Sequence, residues 1–363
     1  MRPAPIEAVG VDAYIVPTEA PESDGTLEWD STTLVVVRLQ AGGTAGVGYT
    51  YADTATASLV RDKLAPLLLG RDAWSTNERW LEMVRAVRNL GRSGIASMAI
   101  SALDIALWDL KGRLLDVPLV DLLGAARNAI PAYGSGGFTS YTEERLAEQL
   151  SGWARLGLRA VKMKVGRDAA ADVDRVKHAR EAIGREVALF VDANGAYTRE
   201  QALGQAIHFA RFDVTWFEEP VSSDDLDGLR LIRDTRPPGM AIAAGEYGYE
   251  ASYFLRMLRA GAVDAIQADA TRCGGITGFL AAAAVADAFG LPLSSHCAPA
   301  LHVAPCCAAR RAVHAEWFHD HVRIEEMLFE GAPRPIGGLL HAQRERPGLG
   351  LVLREREAGR FRA

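Results

Sequence analysis

The sequence predicts an α/β protein: a modified (β/α)8 barrel of the TIM type with an α+β capping domain built from the N-terminus and the C-terminal tail. Three observations carry this. From Ile130 onward, eight short apolar runs alternate with helical segments, a pattern that implies right-handed βα units and a parallel sheet that eight units close. Before them, about 125 residues pass from strand to helical periodicity. After them, residues 324–363 include EGAPRPIGG and end in a charged strand or helix expected to return to the first domain. The expected organisation is a capping domain at 1–125, a barrel at 126–323 and a returning tail at 324–363.

IEAVGVDAYIV and TTLVVVRLQ read as two strands joined by a loop from Pro17 to Ser31. GGTAGVGYTYA continues as a Gly-rich turn and a third strand, so an antiparallel sheet is expected. From Thr54 to Leu123 the pattern is helical. SMAISALDIALWDLKGRLLD carries apolar residues at spacings of 3 and 4, and Val117-Pro118 ends it. Little titratable material falls on the apolar faces here, so this segment is expected to frame a site and not to carry its chemistry. The barrel strands are IPAYG, RAVKMKV, VALFVDAN, VTWFEEP, MAIAAGE, AVDAIQAD, LPLSSHC and AVHAEWF.

Composition excludes several classes of function. With 363 residues, 49% hydrophobic and 24% charged, the chain reads as an ordinary soluble globular protein. A net charge of −6 offers no basic stripe for nucleic acid, and no run approaches the roughly 20 apolar residues of a membrane span. MRPAPIEAVGVD lacks the apolar core of a signal peptide. The four cysteines, Cys273, Cys297, Cys306 and Cys307, form neither a disulfide framework nor a zinc spacing, which points to the cytoplasm. Cys306 and Cys307 are expected to pack in a helix. Cys297 is expected on the far side of its strand from His296, in the core.

The chemistry is expected where a barrel of this kind gathers it, at the C-terminal ends of its strands. In VKMKVG, Val161, Met163 and Val165 alternate with Lys162 and Lys164, so both ammonium groups point inward and need partners or a task. The later strands end in Asp192, Glu218 with Glu219, Glu246, Asp269, His296 and Glu316. From Lys164 through Asp192, Glu218, Glu246, Asp269, His296 and Glu316 the spacings are 28, 26, 28, 23, 27 and 20 residues, each near one βα unit. Asp192, Glu218 and Glu246 present three carboxylates from consecutive strands, which repel unless a cation joins them, and all-oxygen ligands favour Mg²⁺ or Mn²⁺. Strand alternation allows one of Glu218 and Glu219 to face inward, and spacing does not choose between them. Asp269 beside His296 would fix the imidazole tautomer and raise its basicity. Glu316 either hydrogen-bonds a developing oxyanion or pairs with Lys162 or Lys164.

The set VKMKVG, VDANGAY, WFEEP, AAGE, QADATRCGGIT, SSHCAPA and HAEWF, with the helix SMAISALDIALWDLKG, resembles the mandelate racemase subgroup of the enolase superfamily over essentially the whole chain. The resemblance implies Mg²⁺ on Asp192, Glu218 and Glu246, and so selects Glu218 over Glu219. It implies Lys164 as a base on one face of the substrate and His296, paired with Asp269, on the other. Lys162 and Glu316 would hold the substrate carboxylate, Asn194 of VDANGAY joins the substrate-binding set, and a homo-oligomer is expected. A Lys or His base with Mg²⁺ stabilising an ene-diolate is the known pattern of that superfamily.

Two bases on opposite faces permit either loss of a β-hydroxyl or return of a proton to the opposite face. The cap decides between them by how it holds the rest of the substrate. PTEAPESDGTLEWDS is acidic, and no Lys or Arg falls between Pro3 and Val37, which disfavours a second carboxylate; Tyr49, Thr50, Tyr51 and Thr54 offer hydroxyls to a polyol. The expected activity is therefore a Mg²⁺-dependent lyase, a dehydratase of a monocarboxylate sugar acid. A racemase of a 2-hydroxy acid, with Trp29 closing over an apolar tail, is the alternative. A non-catalytic ligand-binding barrel would show a broken constellation, and no position of the set is missing.

Overall fold

The computed structural model describes residues 3–363. Strands β1 (Ala8–Ser23), β2 (Glu28–Ala41) and β3 (Thr44–Tyr51) form an antiparallel sheet in that order. The central β2 reads as an unbroken apolar run because both of its faces are covered: Leu34 and Val36 join the barrel core, while Val37 and Leu39 join a second core under the helix Ile95–Leu115. That helix lies so close to β3 that a Cβ on Gly48 would come within 2.2 Å of the Ala102 carbonyl oxygen. Two buried aspartates on the helix depart from the expectation of few titratable groups. Asp104 accepts from the Thr277 amide and hydroxyl at 2.9 and 2.6 Å, tying the cap to the barrel. Asp109 accepts from the Val47 and Leu349 amides at 2.8 and 2.7 Å, tying β3 to the tail.

The expected loop from Pro17 to Ser31 is largely strand. β1 runs to Ser23 and β2 starts at Glu28, with a register irregularity between Pro17 and Glu22. The bulge absorbs Pro17, which has no N–H to give a ladder. Only the tip turns, and the Asp24 side chain closes it by accepting from the Thr26 and Leu27 amides at 2.6 and 2.7 Å. The tip rests on the barrel through Thr139, whose amide donates to the Ser23 carbonyl at 2.8 Å.

Eight strands coincide with the eight runs read from the sequence: β4 (Ala129–Gly136), β5 (Ala160–Lys164), β6 (Ala188–Asp192), β7 (Val214–Glu218), β8 (Ala241–Ala244), β9 (Ala265–Ala268), β10 (Leu293–Ser295) and β11 (Ala312–Phe318). They pair in parallel in chain order, and β11 pairs with β4 to close the barrel. Each is followed by a helix. Polar caps start several of these: Thr198 and Gln201 form a reciprocal capping box, and Thr142 accepts from the Arg145 amide. Inside the barrel Tyr133, Phe190, Trp216 and His314 pack ring against ring, with Phe190 and Trp216 stacked at 5.4 Å. They form a solid floor on which the polar strand ends stand.

The tail begins with β12 (Phe329–Glu330), continues through β13 (Leu339–His341), antiparallel to the start of β4, and reaches β14 (Val352–Leu353), which pairs with β12. The Ala363 amide donates to the Ala13 carbonyl at 2.9 Å, so the chain ends against β1. Among the described residues no helix is long and apolar enough to cross a membrane.

Candidate active site

Asp192 is the last residue of β6 and Glu218 the last of β7, while Glu246 follows β8 after Gly245. Gly245 has φ 136°, and a Cβ there would meet the Gln267 carbonyl oxygen at 2.3 Å, so glycine is needed to bring Glu246 inward. One carboxylate oxygen from each of the three acids lies within 4.8 Å of the others, and all three are buried. Burial, with Asp192 beside it, pushes Glu218 up to about 8. Burial also works against the Glu246 carboxylate, but His296 and Arg272 hold it well below the usual range. Glu246 Oε2 faces the His296 ring at 3.3 Å. Three buried carboxylates converging on one point fit a hard divalent cation.

Of Glu218 and Glu219, only Glu218 joins the carboxylate cluster. Glu219 has φ 38° just past the strand, and its carboxyl is buried with Oε1 unpartnered, outside the cavity lining. Burial and the negative charge of Glu246 and Asp192 raise it well above the usual range.

The lysines of β5 point inward as their alternation requires. Lys162 Nζ lies 2.8 Å from both Glu218 oxygens, 2.8 Å from Glu316 Oε1 and 5.4 Å over the Tyr133 ring. It is fully enclosed and does not line the cavity. Both readings of Glu316 therefore meet in one residue, which pairs with Lys162 and also reaches the cavity wall. Lys164 Nζ is 2.5 Å from Asp192 Oδ2 and does line the cavity. Burial would lower the Lys164 ammonium, but Asp192 holds it above its ordinary range. The Asn194 amide donates to Asp192 Oδ1 at 2.9 Å, and Asn194 Oδ1 stands unpartnered at the cavity.

On the other side of the carboxylates, His296 Nδ1 is 2.8 Å from Asp269 Oδ2, and Nε2 is 3.3 Å from Glu246 Oε2. Burial opposes the Asp269 charge, but the hydrogen bond from His296 holds this carboxyl at about 2. Burial works against the His296 imidazolium, but Cys297, Glu246 and the hydrogen bond to Asp269 raise it well above its ordinary range. Two neighbours were not singled out in the sequence, and a third was expected elsewhere. Arg272 Nη1 lies 3.3 Å from Glu246 Oε1, and its Nε is 3.7 Å from Asp269 Oδ2; its place three residues after Asp269 was the available signal. His302 accepts from the Ala270 amide at 2.8 Å and braces the turn after β9. Cys297 is the third, and here the core assignment is corrected. With φ 50° it leaves strand geometry, lines the cavity, and sets Sγ 3.2 Å from His296 Nε2.

A cavity of about 430 Å³ opens above these groups, roofed by the β1–β2 hairpin and the end of β3. Its roof carries Asp24, Leu27, Trp29, Ser31, Thr32, Thr33, Tyr51 and Asp53, without a Lys or Arg. The hydroxyls expected for a polyol are largely committed elsewhere. Tyr49 donates to Glu325 at 2.6 Å, Thr50 to the Thr271 carbonyl at 2.7 Å, and Thr54 lines a different hollow. Tyr51 alone of that group reaches the cavity, its hydroxyl donating to the His321 carbonyl at 3.4 Å; Ser31, Thr32 and Thr33 also line it, with Ser31 donating to Asp30 at 3.2 Å and Thr32 to Asp320.

A barrel of this topology under such a cap, with a carboxylate cluster between a lysine and a histidine–aspartate pair, is that of an enzyme of the enolase superfamily. Residues 12–124 match the mandelate racemase/muconate lactonizing enzyme N-terminal domain and residues 145–358 the enolase C-terminal domain-like family, and the chain belongs to the mandelate racemase/muconate lactonizing enzyme family. A 3,6-anhydro-alpha-L-galactonate cycloisomerase of Streptomyces coelicolor is 35% identical, over 98% of this chain and 99% of its own. A solved mandelate racemase/muconate lactonizing enzyme-like protein from Rubrobacter xylanophilus is 53% identical, with a TM-score of 0.97 over 99% of both chains. A racemase from Streptomyces coelicolor A3(2), solved with bound magnesium, is 35% identical, with a TM-score of 0.93 over 99% of this chain and 100% of its own. Further relatives are arabinonate, L-rhamnonate and D-gluconate dehydratases and a hydrophobic dipeptide epimerase.

Proposed function

We propose that this enzyme removes the proton alpha to the carboxylate of a monocarboxylate sugar acid and then expels the oxygen on the beta carbon. The observation that carries this reading is the placement of Lys164 and His296 on either side of the Asp192, Glu218 and Glu246 cluster, under a roof rich in hydroxyls and acids and free of Lys and Arg. Asp192, Glu218 and Glu246 would hold Mg²⁺, which supplies Lewis-acid stabilisation to the dianionic enediolate. Glu316 lines the cavity wall and, once it carries a proton, would donate a hydrogen bond to the substrate carboxylate, while Lys162 adds its charge from beneath, where the dianion's charge develops.

Whichever of Lys164 Nζ and His296 Nε2 has first given up its own proton takes the alpha proton, according to the configuration at that carbon, while the other stays protonated. The beta C–O bond then breaks with its electron pair on oxygen, and the other residue delivers a proton to that oxygen. The enol left behind tautomerises to a 2-keto-3-deoxy acid. Asp269, fixed on Nδ1, keeps Nε2 as the nitrogen that faces the substrate. A free beta-hydroxyl leaves as water, which makes the reaction a dehydration; if the oxygen belongs to an internal ether the same step opens a ring without change of mass. The similarity to both sugar-acid dehydratases and a cycloisomerase supports the shared step.

Leu27, Trp29, Cys297 and Phe318 give the cavity one apolar wall, which favours a second reading: proton return to the opposite face of a 2-hydroxy acid with an apolar tail, a racemisation. Mass spectrometry after incubation with Mg²⁺ and a panel of aldonates, anhydroaldonates, aldarates and aromatic 2-hydroxy acids separates the outcomes. Loss of 18 mass units from an aldonate, or an isobaric 2-keto acid from an anhydroaldonate, supports beta-elimination. Turnover of aldarates alone, or of the aromatic acids with only a change of configuration, overturns it.

A further inference from the structure

The proposed reaction leaves Cys297 without a task. Cys297 and Ala298 are both in left-handed backbone conformations, with φ 50° and 38°, which a side chain with a Cβ rarely adopts. The consequence is local and specific: the thiol turns from the outer face expected after β10 onto the cavity wall, 3.2 Å from His296 Nε2. Nδ1 of the same ring is held by Asp269 at 2.8 Å, and Nε2, which also lies 3.3 Å from Glu246 Oε2, is the nitrogen that faces the thiol. Glu316 closes the third side. Its Oε2 accepts from the Cys297 amide at 2.6 Å, its Oε1 faces Lys162 at 2.8 Å, and a carboxylate keeps further lone pairs. One ligand atom each from His296, Cys297 and Glu316 lies within 4.8 Å of the others, and all three residues are buried.

This set differs in kind from the other cluster. Asp192, Glu218 and Glu246 offer oxygen only, which suits Mg²⁺, whereas an imidazole nitrogen, a thiolate sulfur and one carboxylate oxygen match the borderline-soft preference of Zn²⁺. The adjoining cavity of about 430 Å³ leaves a fourth, tetrahedral position to water and gives the ion an entry path.

We propose that His296, Cys297 and Glu316 form a second metal site, selective for Zn²⁺ and Cd²⁺ over Mg²⁺, whose occupation blocks the enzyme by taking the nitrogen of His296. On binding, the S–H bond of Cys297 breaks and protonated His296 gives up the proton on Nε2, metal–sulfur and metal–nitrogen bonds form, and two protons per ion pass to solvent. The inhibitory consequence rests on the proposed role of His296; the binding site does not.

The test is a titration of the Mg²⁺-loaded protein with Cd²⁺, read by the ultraviolet charge-transfer absorption of a cadmium–thiolate bond. The expected result is a band that saturates at one equivalent per chain, persists in excess Mg²⁺, disappears in Cys297→Ser and Cys297→Ala, and survives in Cys306→Ser, since Cys273, Cys306 and Cys307 are buried away from the cavity. In parallel, Zn²⁺ at fixed excess Mg²⁺ should inhibit the wild type at least about tenfold more effectively than Cys297→Ser, each measured against its own uninhibited rate. Absence of the band in wild type, or an equal band in both Cys297 variants, overturns the proposal. So does equal Zn²⁺ inhibition of both proteins that Mg²⁺ relieves, because that places the ion on the carboxylate cluster. The cadmium band needs no substrate and decides the metal site whether or not the proposed reaction is found.

Discussion

Replacing Glu325 by glutamine should change how the stability of the whole molecule depends on pH. Glu325 lies in the helix after β11 and is buried, accepting from the Tyr49 hydroxyl at 2.6 Å and from the Ala300 amide at 3.0 Å. It therefore joins the cap to the helix that follows His296. Burial pushes its carboxyl up from 4.5 to about 8, in spite of both hydrogen bonds. Because the folded value is the higher one, the folded state holds this proton more tightly than the unfolded state. Below pH 4.5 both states are protonated and the group carries no penalty. As pH rises from there to 8 the unfolded state releases its proton first, so stability is lost across that window and levels off above it. The gap of 3.5 units, 8 minus 4.5, corresponds to ~5 kcal/mol. Glutamine keeps the shape and the acceptor without the titration. Denaturant midpoints of wild type and Glu325→Gln, measured from pH 4.5 to 9, should run close together at the acid end and diverge as pH rises, with the variant the more stable above pH 8. Buried Asp104 and Glu22, also shifted upward, slope the same way in both proteins and cancel in the comparison. Parallel curves for the two proteins would refute the reasoning.

Other consequences are equally direct. Glu218→Gln removes one of three oxygen donors and should weaken Mg²⁺ binding by ~100-fold in a calorimetric titration; in the wild type, Mg²⁺ at 100 times its dissociation constant should raise stability by about 2.7 kcal/mol, and a chelator should reverse this. Asp269→Asn takes away the group that orients His296 and should lower kcat by roughly 10²- to 10⁴-fold with little change in KM, whereas a raised KM with kcat unchanged would point to a loss of binding. Gly48→Ala drives a Cβ to 2.2 Å from the Ala102 carbonyl and should cost about 1–3 kcal/mol, visible as a lower thermal midpoint with Mg²⁺ affinity unchanged.

The barrel was legible because each of its strands is a short apolar run, and those carrying the site close in ionisable residues at intervals near one βα unit. Lys162 and Lys164 declared their direction by alternating with Val161, Met163 and Val165. What stayed hidden follows from backbone conformations that alternation does not encode. Cys297 turns onto the cavity wall because it adopts a positive φ, and it is not the glycine that would have announced it. The roof was misread for another reason. Tyr49 and Thr50 are bound by partners 276 and 221 residues away, and no local pattern reveals that their hydroxyls are taken. The hairpin from Pro17 to Ser31 has the composition of a loop, but cross-strand pairing around a bulge makes most of it strand.

The central claim is that Lys164 and His296 act as bases on opposite faces of one substrate. Proton NMR in D₂O with Mg²⁺ tests it most directly, following the alpha proton of a turned-over sugar acid and of its epimer at that carbon in wild type, Lys164→Ala and His296→Asn. Each variant should lose deuterium exchange with one epimer and retain it with the other. Loss of exchange with the same epimer in both variants, or exchange in neither epimer that depends on these residues, would contradict it.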